Sequence, residues 1–217
     1  MERSSVTACI CCNGEIGDTA GAKSLAGGAD LLIAADGGAV HLADMGLIPH
    51  VIIGDMDSIT HDMFADYENI RRIPFPRDKD LSDSELSVQW AIEHEAKRIL
   101  MLGALGGRPD HAFGNVIILK RFPGLVGLWD DGYLHLSLSS GQDLTLQTLP
   151  GAVISLFPLD DDTRIRTTGL QYELMDDKLK YATQGLSNTT ESGNFSVTVT
   201  RGQIILFAEG GQVWFHQ

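Results

Sequence analysis

The chain has 217 residues, and 16 lysines and arginines against 29 aspartates and glutamates give it a formal net charge of −13 at pH 7. Proteins that bind nucleic acid or anionic membranes do so with clustered cations, so a chain this acidic is expected to bind neither. Its hydrophobic fraction of 43% is typical of a folded soluble protein, and no run of about 18 apolar residues is present to span a bilayer. No apolar segment with a cleavage site follows the amino terminus, which favours a cytoplasmic location.

The first part of the chain alternates short apolar runs with helical patterns. The runs are mostly apolar and comprise residues 7–12, 31–35, 51–53, 70–74 and 98–102. Strands that helices cover on both faces have this pattern, so the runs predict a doubly wound, mostly parallel sheet in an α/β domain. Helices are predicted over residues 82–95 and 111–122, and the first opens with Ser82-Asp83-Ser84-Glu85, which has the spacing of a capping box.

All three cysteines lie in the first apolar run, as Cys9, Cys11 and Cys12. An odd number without a distant partner excludes a disulfide framework, and a zinc site would need a fourth ligand and a turn. We therefore expect three buried, reduced thiols in a strand.

The pattern changes after Phe122, where alternating apolar and polar residues replace helical spacing. Residues 134–138 and 144–146 are examples, and residues 196–200 are joined to 203–207 through Arg201-Gly202 in the pattern of a hairpin. We predict an antiparallel β-domain here, with one domain over residues 1–125 and a second over residues 126–217.

Three of the apolar runs end in loops that combine glycine with aspartate. The loops are Ala35-Asp36-Gly37-Gly38, Gly54-Asp55-Met56-Asp57-Ser58 and the segment GALGGRPDH at residues 103–111. Because the carboxyl ends of parallel strands meet at one edge of a sheet, these loops are expected to form a single crevice. Glycine there lets backbone N–H groups approach a phosphate closely.

A fourth element, DKDLSDSE at residues 78–85, leads into a predicted helix and adds carboxylates to the same edge. The aspartates expected to gather there are Asp36, Asp55, Asp57, Asp80, Asp83 and Asp110. Their mutual repulsion would be costly unless cations bind, and Mg²⁺ prefers carboxylates together with a phosphate chain. Lys79 and Arg108 are candidate phosphate ligands. No Walker loop or G-x-G-x-x-G pattern is present, so the residues indicate a metal-dependent phosphate site of another kind.

Four of these blocks together resemble the thiamine pyrophosphokinase family. They are ADGGA from Ala35, GDMDSI from Gly54, DKDLSDSE from Asp78 and GGRPDHAFGN from Gly106, with GLQY at Gly169 and GLSNT at Gly185 as a weaker fifth match. The resemblance implies a nucleotide-binding α/β domain, a C-terminal antiparallel β-sandwich domain that binds thiamine, and a homodimer whose active site lies between subunits. It implies Mg²⁺-dependent transfer of a pyrophosphoryl group from ATP to the hydroxyl of thiamine, leaving AMP.

The resemblance also assigns roles to individual residues. Asp55, Asp57 and Asp83 match the Mg²⁺-binding and catalytic carboxylates, and Asp110 is a further catalytic candidate. The positions that match ATP-binding ones are Asp36, Gly37, Lys79, Asp80, Ser82 and Arg108. Ser187 and Asn188 match the thiamine-binding motif of the second domain.

One departure from the family pattern concerns the acceptor. Thr190 stands where animal members have an aromatic residue that can stack on thiamine. Trp129 and Trp214 are therefore the alternative stacking candidates, although packing in the core is the favoured role of both.

Two other functions remain open from the residues alone. Residues 51–53 followed by an Asp-x-Asp pattern resemble the first motif of the haloacid-dehalogenase phosphohydrolases, in which Asp55 would form an aspartyl phosphate and Asp57 would act as acid and base. The other alternative is a non-catalytic nucleotide-binding protein. The general base, the number of metal ions and the nucleotide preference are not determined by the sequence.

Overall fold

The computed structural model describes residues 5–55, 69–76, 80–179, 183–211 and 213–216. The chain divides into two compact units, the first formed by Met1–Ile118 with Leu128–Asp131 and the second by Leu119–Gly127 with Gly132–Gln217. The boundary predicted between residues 125 and 126 stays a prediction. Within the described ranges no helix is long and apolar enough to cross a membrane.

The first unit alternates strands and helices. Its elements are β1 (Thr7–Cys11), α1 (Thr19–Gly27), β2 (Leu31–Ala35), α2 (Gly38–Asp44), β3 (Val51–Gly54), β4 (Arg71–Pro74), α3 (Asp83–Glu93), β5 (Arg98–Leu102), the main part of α4 (Pro109–Arg121) and the end of β6 (Val126–Asp130). Strand β1 pairs in parallel with β2 and β5, β2 with β3, and β3 with β4, which gives the order β5-β1-β2-β3-β4. The predicted parallel sheet is confirmed.

The central strands of this sheet are buried at nearly every position, as their continuous apolar sequences predict. The three cysteines are free and buried in β1 and directly after it, so the prediction for them is confirmed. Burial raises the pKa of the Cys12 thiol to about 11 and raises those of Cys9 and Cys11 further. All three therefore stay protonated at neutral pH.

The starts of two helices in the first unit are explained by the residue at each amino terminus. At α3 the Ser82 Oγ accepts a hydrogen bond of 3.2 Å from the Glu85 N–H, which is the predicted cap. Helix α4 begins two residues earlier than predicted, at Pro109. Proline suits the first helical position because it has no N–H to leave unsatisfied there.

The second unit consists of antiparallel strands. Its elements are β7 (Tyr133–Ser139), β8 (Asp143–Gln147), β9 (Val153–Pro158), β10 (Arg164–Thr168), β11 (Met175–Lys178), β12 (Gly185–Thr189), β13 (Asn194–Arg201), β14 (Gln203–Glu209) and the short α5 (Val213–His216). One group of strands has the order β12-β9-β14-β7, and a separate sheet has the order β11-β10-β13-β8. The predicted antiparallel β fold is confirmed.

The hairpin predicted around Arg201-Gly202 is wrong. Strand β13 pairs with β10 and β8, whereas β14 pairs with β7 and β9, so the chain changes sheets at Gly202. Gly202 has φ 79°, and a Cβ there would lie 2.6 Å from the Thr163 Oγ1. The alternation that indicated two strands was correct, but alternation specifies which face is buried and not which strand lies alongside.

Candidate active site

A cavity of about 440 Å³ lies at the carboxyl edge of the parallel sheet in the first unit. Segments that follow β1, β2 and β5 form its walls, together with the amino-terminal turns of α3 and α4. Its lining includes Asp36, Ser82, Asp83, Gly107, Arg108 and His111. The volume suits a small-molecule substrate, and the position is where open α/β sheets bind ligands.

Asp36 and Asp83 both approach Gly54, the last residue of β3. Gly54 has φ 152°, and a Cβ at this residue would lie 2.9 Å from the Asp36 Cβ and 3.2 Å from the Asp83 Oδ1. Only glycine therefore allows the two aspartates to come this close to β3. Asp55 is half-buried and follows Gly54 directly in the chain.

Asp36 is held in an unusual backbone conformation, with φ 46°. Its N–H donates to the Ile53 carbonyl oxygen at 2.8 Å, and its own carbonyl oxygen accepts from the Ala39 N–H at 3.2 Å. Left-handed conformations of residues other than glycine are uncommon and persist where the surrounding structure fixes them, often at functional sites. The backbone of Asp36 is thus fixed by both β3 and α2.

The first turn of α3 places polar groups at the cavity. Ser82, Asp83 and Ser84 all line it, and the Ser84 Oγ lies 3.5 Å from the Cys12 Sγ. The Asp83 carbonyl oxygen accepts a hydrogen bond of 2.7 Å from the Ser87 hydroxyl within the helix. The amino terminus of a helix carries partial positive charge and exposed N–H groups, so this turn favours an anion.

The first turn of α4 carries an exposed ion pair. The Arg108 guanidinium donates to both carboxylate oxygens of Asp110, at 3.1 Å from Nε and 2.6 Å from one terminal nitrogen. This interaction lowers the pKa of Asp110 to about 2 and raises the pKa of Arg108. Two of the five guanidinium N–H groups are used by the pair, which leaves three for a further anion.

Asn115 is a site residue that the sequence reasoning did not assign. It lies within the quoted block GGRPDHAFGN, is 6% exposed and lines the cavity. Its Nδ2 donates to the Ala104 carbonyl oxygen at 2.7 Å, which fastens the loop after β5 to α4. The sequence did offer a signal for Asn115: it follows His111 by four residues, and residues at that spacing share one face of a helix.

The site residues predicted in the first part of the chain fall into three groups. Asp36, Ser82, Asp83 and Arg108 line the cavity together. Four others are not among the lining residues. Gly37 is the N-cap of α2, Asp55 follows β3, Asp80 is exposed before α3, and Asp110 pairs with Arg108. Asp57 and Lys79 fall outside the described residues. The described part of the chain contains no group of three His, Cys, Asp or Glu side chains placed to hold a metal ion, but the predicted set includes Asp57.

In the second unit, Ser187 and Asn188 lie in β12. Ser187 is exposed with φ 58°, its N–H donates to the Ser155 Oγ at 3.1 Å, and the pairing of β12 with β9 shifts register beside it. The Asn188 Oδ1 accepts from the Tyr172 N–H at 3.1 Å, and its Nδ2 donates to the Tyr172 carbonyl oxygen at 2.8 Å. The backbone of β12 is therefore irregular at Ser187, as strands often are beside binding sites.

Trp129 and Trp214 are 7% and 3% exposed. Thr190 is 2% exposed, and its hydroxyl donates to the Leu149 carbonyl oxygen at 2.9 Å. Burial of both indole rings argues against either as the residue that stacks on an acceptor.

Known proteins match this chain over most of its length. Residues 22–124 match the model of the thiamin pyrophosphokinase catalytic domain, and residues 142–204 match that of the thiamin pyrophosphokinase vitamin B1 binding domain. The chain is 37% identical over 99 residues to thiamine pyrophosphokinase of Bacillus subtilis (strain 168), but this match spans only 42% of the chain and 44% of that relative.

A second relative and a solved structure extend the match. The chain is 31% identical over 190 residues to thiamine pyrophosphokinase 1 of Oryza sativa subsp. japonica, which covers 75% of the chain and 71% of the relative. The crystal structure of thiamine pyrophosphokinase from Bacillus subtilis superimposes with a TM-score of 0.80 at 26% identity, covering 94% of this chain and 98% of that one.

Proposed function

The chain belongs to the thiamine pyrophosphokinase family, a family of enzymes, and on this premise we propose that it transfers a pyrophosphoryl group from ATP to the hydroxyl of thiamine and releases AMP. The observation that carries the proposal is a cavity lined by Asp36, Asp83 and Arg108 that the amino termini of two helices adjoin. Carboxylates next to anion-binding helix ends suit a polyphosphate that arrives with a cation.

ATP would bind in this cavity through its phosphates. The N–H groups at the start of α3 and α4 favour negative charge, and Arg108 offers a planar donor set that suits phosphate oxygens. Asp110 holds that guanidinium by two hydrogen bonds, so we assign Asp110 to orienting Arg108. Further ATP contacts are proposed for Asp36, Gly37, Lys79, Asp80 and Ser82.

Magnesium dependence is part of the proposal. Asp55, Asp57 and Asp83 would hold the ion, because carboxylate oxygens are the ligands that Mg²⁺ prefers. When bound, the ion would neutralise negative charge on the polyphosphate.

The transfer itself breaks one phosphoanhydride bond and forms one ester bond. The thiamine hydroxyl oxygen bonds to the β-phosphorus of ATP, the bond from that phosphorus to the bridging oxygen breaks, and AMP leaves with the bridging oxygen while the hydroxyl proton is released. Arg108 holds the pKa of Asp110 near 2, so Asp110 is a weak base and does not accept that proton at neutral pH. Positioning of the two substrates supplies much of the rate in this scheme.

The acceptor side of the site is proposed on the second unit, at Ser187 and Asn188. A homodimer with the active site between subunits is proposed from the family resemblance. A cytoplasmic location is supported by three free, buried cysteines, since reducing compartments preserve such thiols.

Product analysis tests the proposed reaction. With ATP, Mg²⁺ and thiamine, the protein should form AMP and thiamine pyrophosphate in equal amounts, measured by liquid chromatography. Inorganic phosphate released from simple esters without AMP would instead indicate the aspartate-nucleophile phosphohydrolase. Calorimetric binding of ATP and thiamine without any product would indicate the non-catalytic alternative.

A further inference from the structure

The loop between β5 and α4, residues 103–108, forms one wall of the cavity. Every residue of this loop except Leu105 lines the cavity, and Arg108 stands at its end, directly before α4 begins. Gly103 and Gly107 have φ 60° and 83°, in the left-handed region that favours glycine. Glycine leaves the backbone many alternative conformations, so contacts from outside the loop must fix the shape of this wall.

The main chain that follows β1 provides the first of these contacts. The Gly14 N–H donates to the Gly103 carbonyl oxygen at 2.9 Å, and a Cβ at Gly14 would lie 2.5 Å from the carbonyl oxygens of both Gly103 and Gly106. A Cβ at Gly106 would in turn lie 2.5 Å from the Glu15 nitrogen. The two segments are therefore in direct main-chain contact, and the loop has no room to move toward residues 14–15.

Asn115 holds the same loop from α4. Its Nδ2 donates to the Ala104 carbonyl oxygen at 2.7 Å, and among the described residues this is the one side-chain hydrogen bond to the main chain of the loop. The bond joins residues that are 11 positions apart in the chain, and Arg108 lies between them. The amide of Asn115 therefore fixes the loop against the helix that begins just after Arg108.

The helix that carries Asn115 does not explain why this residue is an asparagine. Asparagine is a poor helix former, because its side chain competes with the backbone for hydrogen bonds. Asn115 nevertheless lies in the second turn of α4 and is 6% exposed. Burial of an amide is costly unless the amide is hydrogen-bonded, so the bond to the loop accounts for an asparagine at this position.

We propose that Asn115 is a positioning residue, which sets the affinity of the cavity for the nucleotide by fixing the loop of residues 103–108. The inference rests on the proposed function, because ATP is the nucleotide it names and Arg108 is the residue assigned there to the phosphates. A wall that is already in place needs no ordering when a polyphosphate binds, whereas a loosened loop must be ordered at a cost in affinity. Asn115 thus acts through the loop and not on the reacting atoms.

Asn115→Leu tests the inference, because leucine has a similar volume and can stay buried but has no N–H to donate. We expect the KM for ATP, and the Kd for ATP from calorimetry, to rise about 5-fold through the loss of one hydrogen bond, while kcat and the KM for thiamine change by less than about 2-fold. Gln142→Leu is the matched control, since the Gln142 Nε2 donates to the Pro123 carbonyl oxygen at 3.1 Å within the second unit. It should lose stability without a change in the KM for ATP. An unchanged KM for ATP in Asn115→Leu, or an equal rise in both variants, would overturn the inference.

Asn115→Asp adds a pH-dependent test and serves if the leucine variant does not fold. Burial raises the pKa of a carboxyl group, and its neutral form can donate an O–H to the Ala104 carbonyl oxygen, whereas its charged form repels that oxygen. The ratio of the variant's KM for ATP to that of the wild type should therefore rise between about pH 5.5 and about pH 8.5, and a ratio independent of pH would contradict the role of the hydrogen bond. A wild-type protein that forms no thiamine pyrophosphate refutes the proposed function, whereas an active wild type with unchanged ATP binding in Asn115→Leu refutes only this inference.

Discussion

The cavity of the first unit and the surface around β12 in the second unit differ in how polar side chains and backbone are arranged. Around Gly54 the backbone is close-packed, and the side chains of Asp36 and Asp83 come together beside it. At β12 the side chain of Asn188 holds the backbone of Tyr172, and an aromatic ring is what remains exposed. Residues of the family motifs thus differ in what they contact: Asp36 and Asp83 approach a strand end, whereas Asn188 is bonded to the backbone of a neighbouring segment.

The comparison predicts that changing a cavity carboxylate affects turnover most strongly. Asp83→Asn should lower kcat about 1000-fold, because the neutral amide no longer balances a cation on the polyphosphate. Rates of AMP formation measure this effect, and circular dichroism checks that the fold is kept. Asp44→Asn, which neutralises an exposed carboxylate in α2, should remain active. Equal losses in the two variants would refute the special role of the cavity.

Acid should destabilise the second unit through His135. This side chain lies in β7, is 6% exposed and sits against Phe207 with ring centroids 4.5 Å apart, and burial lowers its pKa to about 4. The unfolded chain binds the proton near pH 6.5 and the native state does not until about pH 4, so stability falls as pH decreases through this window, by up to about 3 kcal/mol. Urea unfolding at pH 7 and pH 4.5 measures the loss.

A matched variant isolates the histidine from other acid-sensitive groups. His135→Leu cannot take up a proton, so its unfolding free energy should change less between pH 7 and pH 4.5 than that of the wild type. An identical pH dependence in both proteins would show that His135 is not the source.

Gly54 and Gly46 offer a comparison between two glycines with positive φ. A Cβ at Gly54 would meet Asp36 at 2.9 Å, whereas a Cβ at Gly46 would have no neighbour within 4 Å, with φ 68°. Gly54→Ala should therefore cost about 2 kcal/mol or more in unfolding free energy, and Gly46→Ala about 1 kcal/mol from backbone strain alone. Thermal unfolding ranks the two variants, and a larger loss for Gly46→Ala would contradict the close approach seen at Gly54.

Of the four predictions, the one for Asp110 has the smallest expected effect. Asp110→Asn removes the charge that orients Arg108, so we expect the KM for ATP to rise about 10-fold with the KM for thiamine unchanged. Arg108→Ala should match or exceed this effect on ATP. A kcat loss as large as that of Asp83→Asn would mean that Asp110 takes part in the chemistry itself.

Much of the fold follows from patterns that report burial. Runs such as residues 31–35 and 98–102 are apolar at nearly every position, and they form strands that are buried at consecutive positions and therefore on both faces of the sheet. Ser82 marked the start of α3 correctly because its hydroxyl satisfies a local N–H. The strand partners of β13 and β14 could not be read in the same way, since pairing depends on residues far along the chain.

The candidate site also has features that the sequence could predict and features that it could not. Asp36, Ser82, Asp83 and Arg108 could be predicted because loops at the carboxyl ends of parallel strands converge. The hydrogen bonds of Asn188 could not be predicted, because they join it to Tyr172, 16 positions away in another irregular segment. Tyr172 was present in the quoted GLQY block, but nothing in the sequence separates an exposed tyrosine from a buried one.

The three cysteines give the first unit a chemical property of its own. Alkylating reagents attack the thiolate, and burial keeps Cys9, Cys11 and Cys12 protonated within a strand that lies between β2 and β5. Labelling of Cys9 and Cys11 therefore requires this central strand to separate from its neighbours. Cys12 lines the cavity, so a ligand bound there is expected to slow its alkylation. The alkylation rate of Cys9 and Cys11, followed by mass spectrometry, therefore measures the opening of the first unit without any engineered probe.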